Sequence, residues 1–353
     1  MGRRRSRGGA AQPVQQRITV PDVPKVPPGC DPEAIVLSYS VNYEMDGMRL
    51  DRFVQNRIPR LSRTRAQAVV RESAFRQDGR RRRPSDIVRQ GEVVLLVRER
   101  FVEPAVPTDF QVLHEDATLL VLHKPAGLPV HRTATYHRNT LTYQLRERYG
   151  LEAAPHVAHR LDRETSGVLV CVKERAAERT VQQLFEQHQV QKRYLAIVRG
   201  RPEPADGVIE LPLAPVRDGL HLCMEVREDG APAQTVYRTR ACLPGHTLVA
   251  LWPRSGRQHQ LRVHLSAIGH PIVGDKLYGP EGTAPFLDII EQGMTPEVLA
   301  RLGHPRHALH AHGLSLPHPV DGRITRFRAP LPNDLRELWV ALGGNRSPRR
   351  QPD

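Results

Sequence analysis

The pattern of apolar and polar positions first predicts a small unit near the N-terminus. Leu50, Phe53 and Val54 have the spacing of one helix face, and Pro59 would end that helix soon afterwards. Ser62 can cap a second helix, SRTRAQAVVRES, whose alanine and valines would face inward. The apolar run in GEVVLLVRERF then predicts a strand. Two short helices with strands indicate a small α/β domain.

Beyond a short linker at residues 104–109, short apolar runs alternate with turns. Strands are predicted in DFQVLHEDATLLVLHK, GVLVCVK, KRYLAIVRG and HTLVALWP. The segment RAAERTVQQLFEQHQV predicts an amphipathic helix with Val181, Leu184, Phe185 and His188 on its apolar face. Because the strands are not each followed by a helix, we expect a mixed, mostly antiparallel sheet with flanking helices. The chain is therefore assigned to the α+β class.

These differences in composition and in apolar pattern divide the chain into four segments. A basic, proline-rich arm at residues 1–32 is expected to be disordered. The small domain would occupy residues 33–104, and the larger domain residues 105–345. Residues 346–353 would form a tail.

The charge balance favours a polyanionic partner. Lysine and arginine number 52 against 38 acidic residues, which gives a net charge of +14. No apolar run approaches the roughly 20 residues of a spanning helix, so nucleic acid is preferred to a membrane. Compositional bias towards arginine is the alternative explanation. The four cysteines are scattered without a CxxC pair, which favours a reducing cytoplasm over a disulfide framework.

The densest polar segment, HVAHRLDRETSG, places Asp162 between Arg160 and Arg163. Nearby cations favour an ionised carboxylate, which is a potential nucleophile. Taken alone, an aspartate in such a loop more often braces a turn. The chain lacks GxGxxG, GxxxxGK[ST], GxSxG and HExxH patterns, which removes support for nucleotide-binding, serine hydrolase and zincin functions.

A second segment, PRSGRQHQLRVHL, predicts a helix. Leu261, Leu265 and Ile268 would share one face, while Gln258 and Arg262 are four residues apart on another. An arginine on a rigid helix can clamp a carboxylate or a phosphate, although a solvated helix face would carry the same pattern.

Four histidines at positions 304, 307, 310 and 312 raise the alternative of a metal-dependent nuclease or deaminase. No cysteine lies nearby and the spacing fits no known ligand set, so no metal is expected.

Two resemblances join these segments. RLDRFVQNRIPRLSRTRAQAVV resembles the alpha-L motif of S-four-type RNA-binding domains, although SAFRQDG stands where that family has Gly-x-Val-x-Val-Asn-Gly. From about residue 48 to 340, HRLDRETSGVLV, KRYLAIVRG, SGRQHQLRVHLSAIGHPIVGDKLYG and HALHAHGLSLPHP follow in the order typical of another family. The chain resembles the RluA-type RNA pseudouridine synthases with an N-terminal S-four-type domain.

This resemblance implies a role for each matching residue. Asp162 would be the essential catalytic carboxylate, and Arg262 would pair with it. Tyr194 would lie against the target base and act as general base. Arg160 would help hold the RNA duplex open, and Leu309 would line the pocket. Further RNA contacts are expected of His159, Arg257, Gln258, Arg63, Arg65 and Arg71.

The implied reaction moves the uracil from an N1 to a C5 link with C1′ and needs neither redox cofactor nor ATP, so no cofactor is expected.

The substrate would be structured RNA. Large-subunit ribosomal RNA is favoured because members with an S-four-type domain often modify it, with transfer RNA as the alternative. A non-catalytic RNA-binding or ribosome-assembly protein is the rival, but Asp162, Tyr194 and Arg262 are all intact. The protein is expected to act as a monomer.

The small domain would have a basic side, formed by Arg63, Arg65, Arg71 and residues 80–83.

Overall fold

A computed structural model describes residues 26–32, 34–58, 61–99, 102–133, 135–217, 220 and 222–345. Most of the predicted arm at 1–32, Pro59 and the predicted tail at 346–353 lie outside the described residues. The chain divides into two compact units, residues 1–102 and 103–353.

The N-terminal unit packs two helices on a three-stranded antiparallel sheet. Its elements are β1 (Ile35–Ser40), a 3-10 turn (Tyr43–Met45), α1 (Leu50–Arg57), α2 (Arg63–Ser73), β2 (Ala74–Phe75) and β3 (Val93–Arg98). The strands have the order β1-β3-β2. Both helices are confirmed, and the Ser62 hydroxyl accepts the Arg65 backbone N–H at 3.2 Å as the predicted cap.

One basic residue of this unit differs from the prediction. Arg82 was grouped with its neighbours on an exposed basic side, yet it is buried. Its Nη1 donates to Glu92 Oε1 at 2.6 Å, and Asp86 lies nearby. A buried guanidinium needs such partners, so Arg82 braces the unit instead of facing solvent.

Among its described residues the second unit contains twelve strands, ten of them in one main sheet and two in a separate antiparallel pair. Its strands are β4 (Gln111–Glu115), β5 (Leu119–Lys124), β6 (His156–Val157), β7 (Ser166–Val172), β8 (Gln191–Arg199), β9 (Asp206–Glu210), β10 (Leu213–Pro215), β11 (Met224–Val226), β12 (Gln234–Leu243), β13 (His246–Pro253), β14 (Leu309–Pro317) and β15 (Ile324–Arg328). Its helices are α3 (Leu141–Tyr149), α4 (Arg175–Glu186), α5 (Gln260–Ala267), α6 (Ala284–Gln292), α7 (Pro296–Leu302) and α8 (Asn333–Ala341).

The main sheet has the order β4-β5-β7-β14-β8-β13-β12-β9, with β15 on β14 and β6 on β7. Within the described ranges only the β7–β14 pair is parallel. The predicted mixed, mostly antiparallel sheet is confirmed. No helix in the described part of the chain is both long and apolar enough to cross a bilayer.

The centre of the sheet is buried on both faces. All seven residues of β7 are buried, which explains its continuous apolar sequence. One apolar cluster joins β7 with α4, and another joins β8 and β13 with α5 and α8. Gly167 in β7 has φ +123°, and a Cβ there would overlap the Ala311 carbonyl. This close approach lets β14 pair beside the loop that precedes β7.

Two helix boundaries differ from the predictions. Helix α4 ends at Glu186, and His188 is exposed with φ +57° instead of lying on the apolar face. The Gln189 N–H donates to the Leu184 carbonyl at 2.9 Å, so a left-handed residue closes the helix.

Helix α5 starts only at Gln260, so Gln258 precedes it and shares no helix face with Arg262. The Gln260 side chain accepts the Arg257 N–H at 3.1 Å and folds the preceding loop back on the helix.

Candidate active site

The loop between β6 and β7 carries Asp162 to the centre of the sheet. Its turn is closed by the Thr165 N–H, which donates to the Asp162 carbonyl at 3.1 Å. The fully buried Lys124 ammonium donates to the carbonyls of Arg163, Leu128 and Pro125 and so anchors the same loop. Asp162 therefore has a fixed backbone, while 23% of its side chain stays exposed.

Helix α5 brings Arg262 against this carboxylate from 100 residues further along the chain. Its Nη1 donates to Asp162 Oδ2 at 3.1 Å, so the structure brings together the two residues that the family resemblance pairs. Its Nε and Nη2 donate to the two oxygens of Asp275 at 2.7 and 2.8 Å. Burial would favour a neutral Arg262, but Asp275 and Asp162 outweigh it and raise the pKa of the guanidinium.

Sequence reasoning did not select Asp275. Its carboxylate is buried, and Oδ1 also accepts the backbone N–H groups of Leu277 and Tyr278. Burial opposes its ionisation, yet Arg262 and these backbone donors lower the pKa of Asp275. The only signal was a single acid within the turn-rich segment GHPIVGDKLYG.

Tyr194 and Leu309 lie on neighbouring central strands, β8 and β14, and line a cavity of about 570 Å³ with Asp162 and Arg262. Leu309 is buried and belongs to the apolar cluster against which Tyr194 packs. Burial, followed by the charge of Asp162, raises the pKa of Tyr194. Its phenol is therefore protonated near neutral pH.

A second cavity of about 320 Å³ adjoins the first. The two share Arg160, Leu161, Asp162, His259 and Arg262 in their walls. Arg160 is exposed at both openings, where a guanidinium can reach RNA. The second cavity is also lined by basic side chains of His131, Arg132, Arg163 and Lys276.

The other predicted RNA contacts occupy different places. His159 lines the larger cavity, where its Nε2 accepts the Val170 N–H at 3.1 Å and burial lowers its pKa to about 3. Arg257 and Gln258 are exposed at the larger cavity, where they donate to the carbonyls of Pro232 and Leu222. A last group, Arg63, Arg65 and Arg71, is exposed on α2 of the N-terminal unit.

The clustered histidines have individual hydrogen-bond partners. His307 Nε2 lies 2.8 Å from the Thr165 hydroxyl, and His310 Nδ1 lies 2.9 Å from the Ser166 hydroxyl. These contacts tie β14 and the residues just before it to the end of the Asp162 loop and the start of β7. In the part of the chain that the structure describes, no group of three or more His, Cys, Asp or Glu side chains is arranged to hold a metal ion.

Two further polar residues line the larger cavity without having been predicted. His259 lies with its Nε2 4.0 Å from Asp162 Oδ2. Lys192, two residues before Tyr194 on β8, donates to the Ser255 carbonyl at 2.8 Å. Burial lowers the pKa of Lys192 to about 8. The segments QHQLR and QKRY contained both residues, but nothing in their spacing distinguished them from a solvated surface.

The larger cavity is lined by a carboxylate, an arginine, a tyrosine and an apolar side chain. The chain that forms it matches known proteins. The RNA pseudouridylate synthase family matches residues 118–267. This chain belongs to that family, in its RluA-type branch. It is an RNA pseudouridine synthase, an isomerase that converts uridine in RNA to pseudouridine.

Its relatives span most of the chain. An uncharacterized RNA pseudouridine synthase of Chloroflexus aurantiacus is 38% identical, over 82% of this chain and 88% of that protein. The ribosomal large subunit pseudouridine synthase D of Xanthomonas campestris is 38% identical, over 84% and 89%. Among solved structures, human RNA pseudouridylate synthase domain containing 4 is 31% identical and covers 66% of this chain and 92% of its own, with a TM-score of 0.52.

Proposed function

We propose that Asp162 is the catalytic carboxylate of this synthase, with Arg262 as its ion-pair partner and Tyr194 against the target uracil. The observation that carries this proposal is the ion pair between Asp162 and Arg262 in the wall of the 570 Å³ cavity. Tyr194 and Leu309 line the same cavity and offer a flat, apolar surface to a base.

The chemistry fits these groups. The C1′–N1 bond of uridine breaks and a C1′–C5 bond forms, while C5 gives up its proton and N1 gains one. An anionic Asp162 would attack the sugar or the ring, or stabilise charge at C1′. Arg262 Nη1 donates to that carboxylate and orients it in the wall of the cavity. Because Tyr194 rests as a phenol, it acts as general base only if the phenolate forms in the RNA complex.

Reaching the glycosidic bond requires the uridine to leave its stack. This flipping costs a few kcal/mol, which stacking and phosphate contacts offset. Arg160 is exposed beside the cavity and would fill the space that the flipped base leaves. Arg257 and Gln258 would contact the RNA backbone at the same opening.

We infer that the substrate is large-subunit ribosomal RNA. The relatives in Xanthomonas campestris and Nitrosomonas europaea are named for that subunit and align with 84% and 87% of this chain. Transfer RNA is the alternative. Residues 33–104 would form an S-four-type RNA-binding domain, for which the exposed arginines of α2 are the support. The catalytic domain would span residues 105–345. We further infer a cytoplasmic monomer.

Pseudouridine mapping of total RNA tests both the activity and the substrate. Cells lacking the protein are complemented with either the wild type or Asp162→Asn. Loss of pseudouridine from large-subunit RNA, restored only by the wild type, is the expected result. Loss from transfer RNA would replace the proposed substrate, and restoration by Asp162→Asn would overturn the catalytic assignment.

A further inference from the structure

His259 faces Asp162 beside Arg262 and has no role in the scheme above. Its Nε2 lies 4.0 Å from Asp162 Oδ2, the oxygen that also accepts Arg262 Nη1. Its other ring nitrogen, Nδ1, lies 2.7 Å from the phenol oxygen of Tyr278. The imidazole therefore bridges a fixed phenol and the proposed catalytic carboxylate.

The backbone of His259 also sets it apart. It occupies the residue before α5 in a left-handed conformation, with φ +53° and ψ +15°. That conformation is uncommon for a residue with a Cβ and persists where the surroundings fix it. The side chain makes no capping hydrogen bond to the helix. Its ring lies instead in the wall that the two cavities share.

The contacts of Tyr278 favour a proton on Nε2 of His259 over one on Nδ1. The Met224 N–H donates to the phenol oxygen at 2.8 Å and occupies one of its lone pairs. We assign the phenol proton to His259 Nδ1, because the Cys223 thiol, its other neighbour, is a weaker acceptor than an imidazole nitrogen. The neutral imidazole then carries its own proton on Nε2. The opposite tautomer would turn a lone pair of Nε2 towards the Asp162 carboxylate, which is repulsive.

The ring is also uncharged near neutral pH. Burial lowers the pKa of His259 to about 4, although Asp162 and Asp275 attract a proton and Arg262 and Arg160 repel one. The imidazole thus offers a hydrogen-bond donor without adding a positive charge to a site that already contains Arg262. A neutral N–H is a weaker donor to a carboxylate than the charged guanidinium of Arg262.

We propose that His259 is a positioning residue for Asp162, held by Tyr278 with its N–H on Nε2, and that it donates to Oδ2 when uridine enters. The inference rests on the proposed role of Asp162. Distances in a free enzyme often shorten in the complex, and the partly exposed Asp162 side chain can close this one. Both donors then bind Oδ2. Among the described residues no hydrogen bond reaches Oδ1, which is thus the oxygen left for the substrate.

Two substitutions separate this role from a structural one. His259→Gln places an amide N–H near the position of Nε2, whereas His259→Asn places one near Nδ1. We expect kcat of His259→Gln to stay within about fivefold of the wild type, and kcat of His259→Asn to fall by about 10- to 100-fold, the range for a hydrogen bond to a charged group. KM for an RNA fragment should stay unchanged in both. The left-handed backbone favours asparagine, so a structural role predicts the reverse order.

Nitrogen NMR of the full chain labelled at histidine reads the tautomer directly. We expect a protonated Nε2 and an unprotonated Nδ1 for His259, with the signal assigned by its loss in His259→Gln. Tyr278→Phe removes only the hydroxyl, and we expect a mixture of tautomers and about tenfold lower kcat, again the range for one such hydrogen bond. A proton on Nδ1 in the wild type, or greater activity of His259→Asn than of His259→Gln, overturns the inference. An active Asp162→Asn enzyme would instead overturn the proposed function.

Discussion

Arg262 is bound by Asp275 through two hydrogen bonds and by Asp162 through one, although Asp162 is the carboxylate with access to the cavity. Asp275 is in turn fixed by two backbone N–H groups. The guanidinium is thus anchored from behind, and only its Nη1 is directed to the site. A carboxylate held by a single arginine nitrogen keeps more of its negative charge available than one held by a full fork.

Asp275→Asn tests this anchoring. It leaves Arg262 buried with one anionic partner, so we expect unfolding to require about 3–5 kcal/mol less free energy. Urea titration at pH 7 measures the difference. Asp288→Asn is the matched control, because Asp288 binds Arg301 in a more exposed pair and should cost only about 0–1 kcal/mol. Equal effects of the two substitutions would contradict the buried anchor.

Asp162→Asn keeps the size of the side chain and removes its charge. We expect loss of pseudouridine formation with RNA affinity largely kept, because Arg160 and the exposed arginines remain. Single-turnover assays and binding titrations with the same RNA separate the two effects. Activity within about tenfold of the wild type, smaller than the loss expected for an essential group, would disprove the catalytic assignment.

Arg262→Lys keeps the charge and loses the planar fork. A lysine cannot reach Asp162 and both oxygens of Asp275 in one geometry, so we expect kcat to fall by about 100-fold, as on loss of a fixed electrostatic partner. The control is Arg257→Lys, whose guanidinium is exposed and donates to a backbone carbonyl. A fully active Arg262→Lys enzyme would show that the fork is not needed.

Stability should fall with acidity because of His310. This side chain is fully buried between Ser166 and the Ala329 carbonyl, and burial lowers its pKa to about 3. The unfolded chain then binds a proton below its ordinary value of 6.5, so stability is present above that pH and is lost as the pH falls towards 3. From pH 7 to 5 His310 alone is expected to contribute a loss of about 2 kcal/mol.

Urea titrations at both pH values measure this loss. His310→Gln should reduce the loss between the two pH values by about 2 kcal/mol relative to the wild type, and the other buried histidines, His159 and His259 among them, account for the rest. His188→Gln, at an exposed position, should leave the loss unchanged. An unaltered pH dependence in His310→Gln would refute the prediction.

The exposed arginines of α2 should contribute to RNA affinity through counterion release. Replacing Arg63, Arg65 and Arg71 with glutamine should weaken binding and flatten the slope of log affinity against log salt by about 0.7–0.9 per lost phosphate contact. The same replacement at the exposed Arg201 and Arg323 is the control. An unchanged slope would favour compositional bias as the origin of the net charge.

How much the sequence predicted depends on the range of the interaction. Period and capping are local, so α1, α2, β7 and the Ser62 cap were predicted correctly. The pair Asp162–Arg262 was available only through resemblance, since spacing cannot relate residues 100 positions apart. Asp275 and His259 were not predicted from the sequence. The contacts of Asp275 depend on packing and the proposed role of His259 depends on its tautomer, and neither leaves a periodic signal in the sequence.

The start of α5 was predicted wrongly, because the helical pattern in the sequence extends further than the helix. Gln258 continues the helical period of Arg262, but the Gln260 side-chain oxygen accepts the Arg257 N–H and His259 has a left-handed backbone, so the helix begins after both. The burial of Arg82 was likewise hidden, because its partner Glu92 lies ten residues away and looks like any surface acid.

Strand β14 lies between β7 and β8, yet it is made by residues 309–317, late in the chain. Before β14 pairs with them, β7 and β8 have no common neighbouring strand, and Asp162 and Tyr194 belong to separate halves of the sheet. A chain still being synthesised therefore has every residue of the proposed catalytic set in place along its sequence, but no pocket. The pocket around Asp162 and Tyr194 is therefore a property of the sheet that β14 completes.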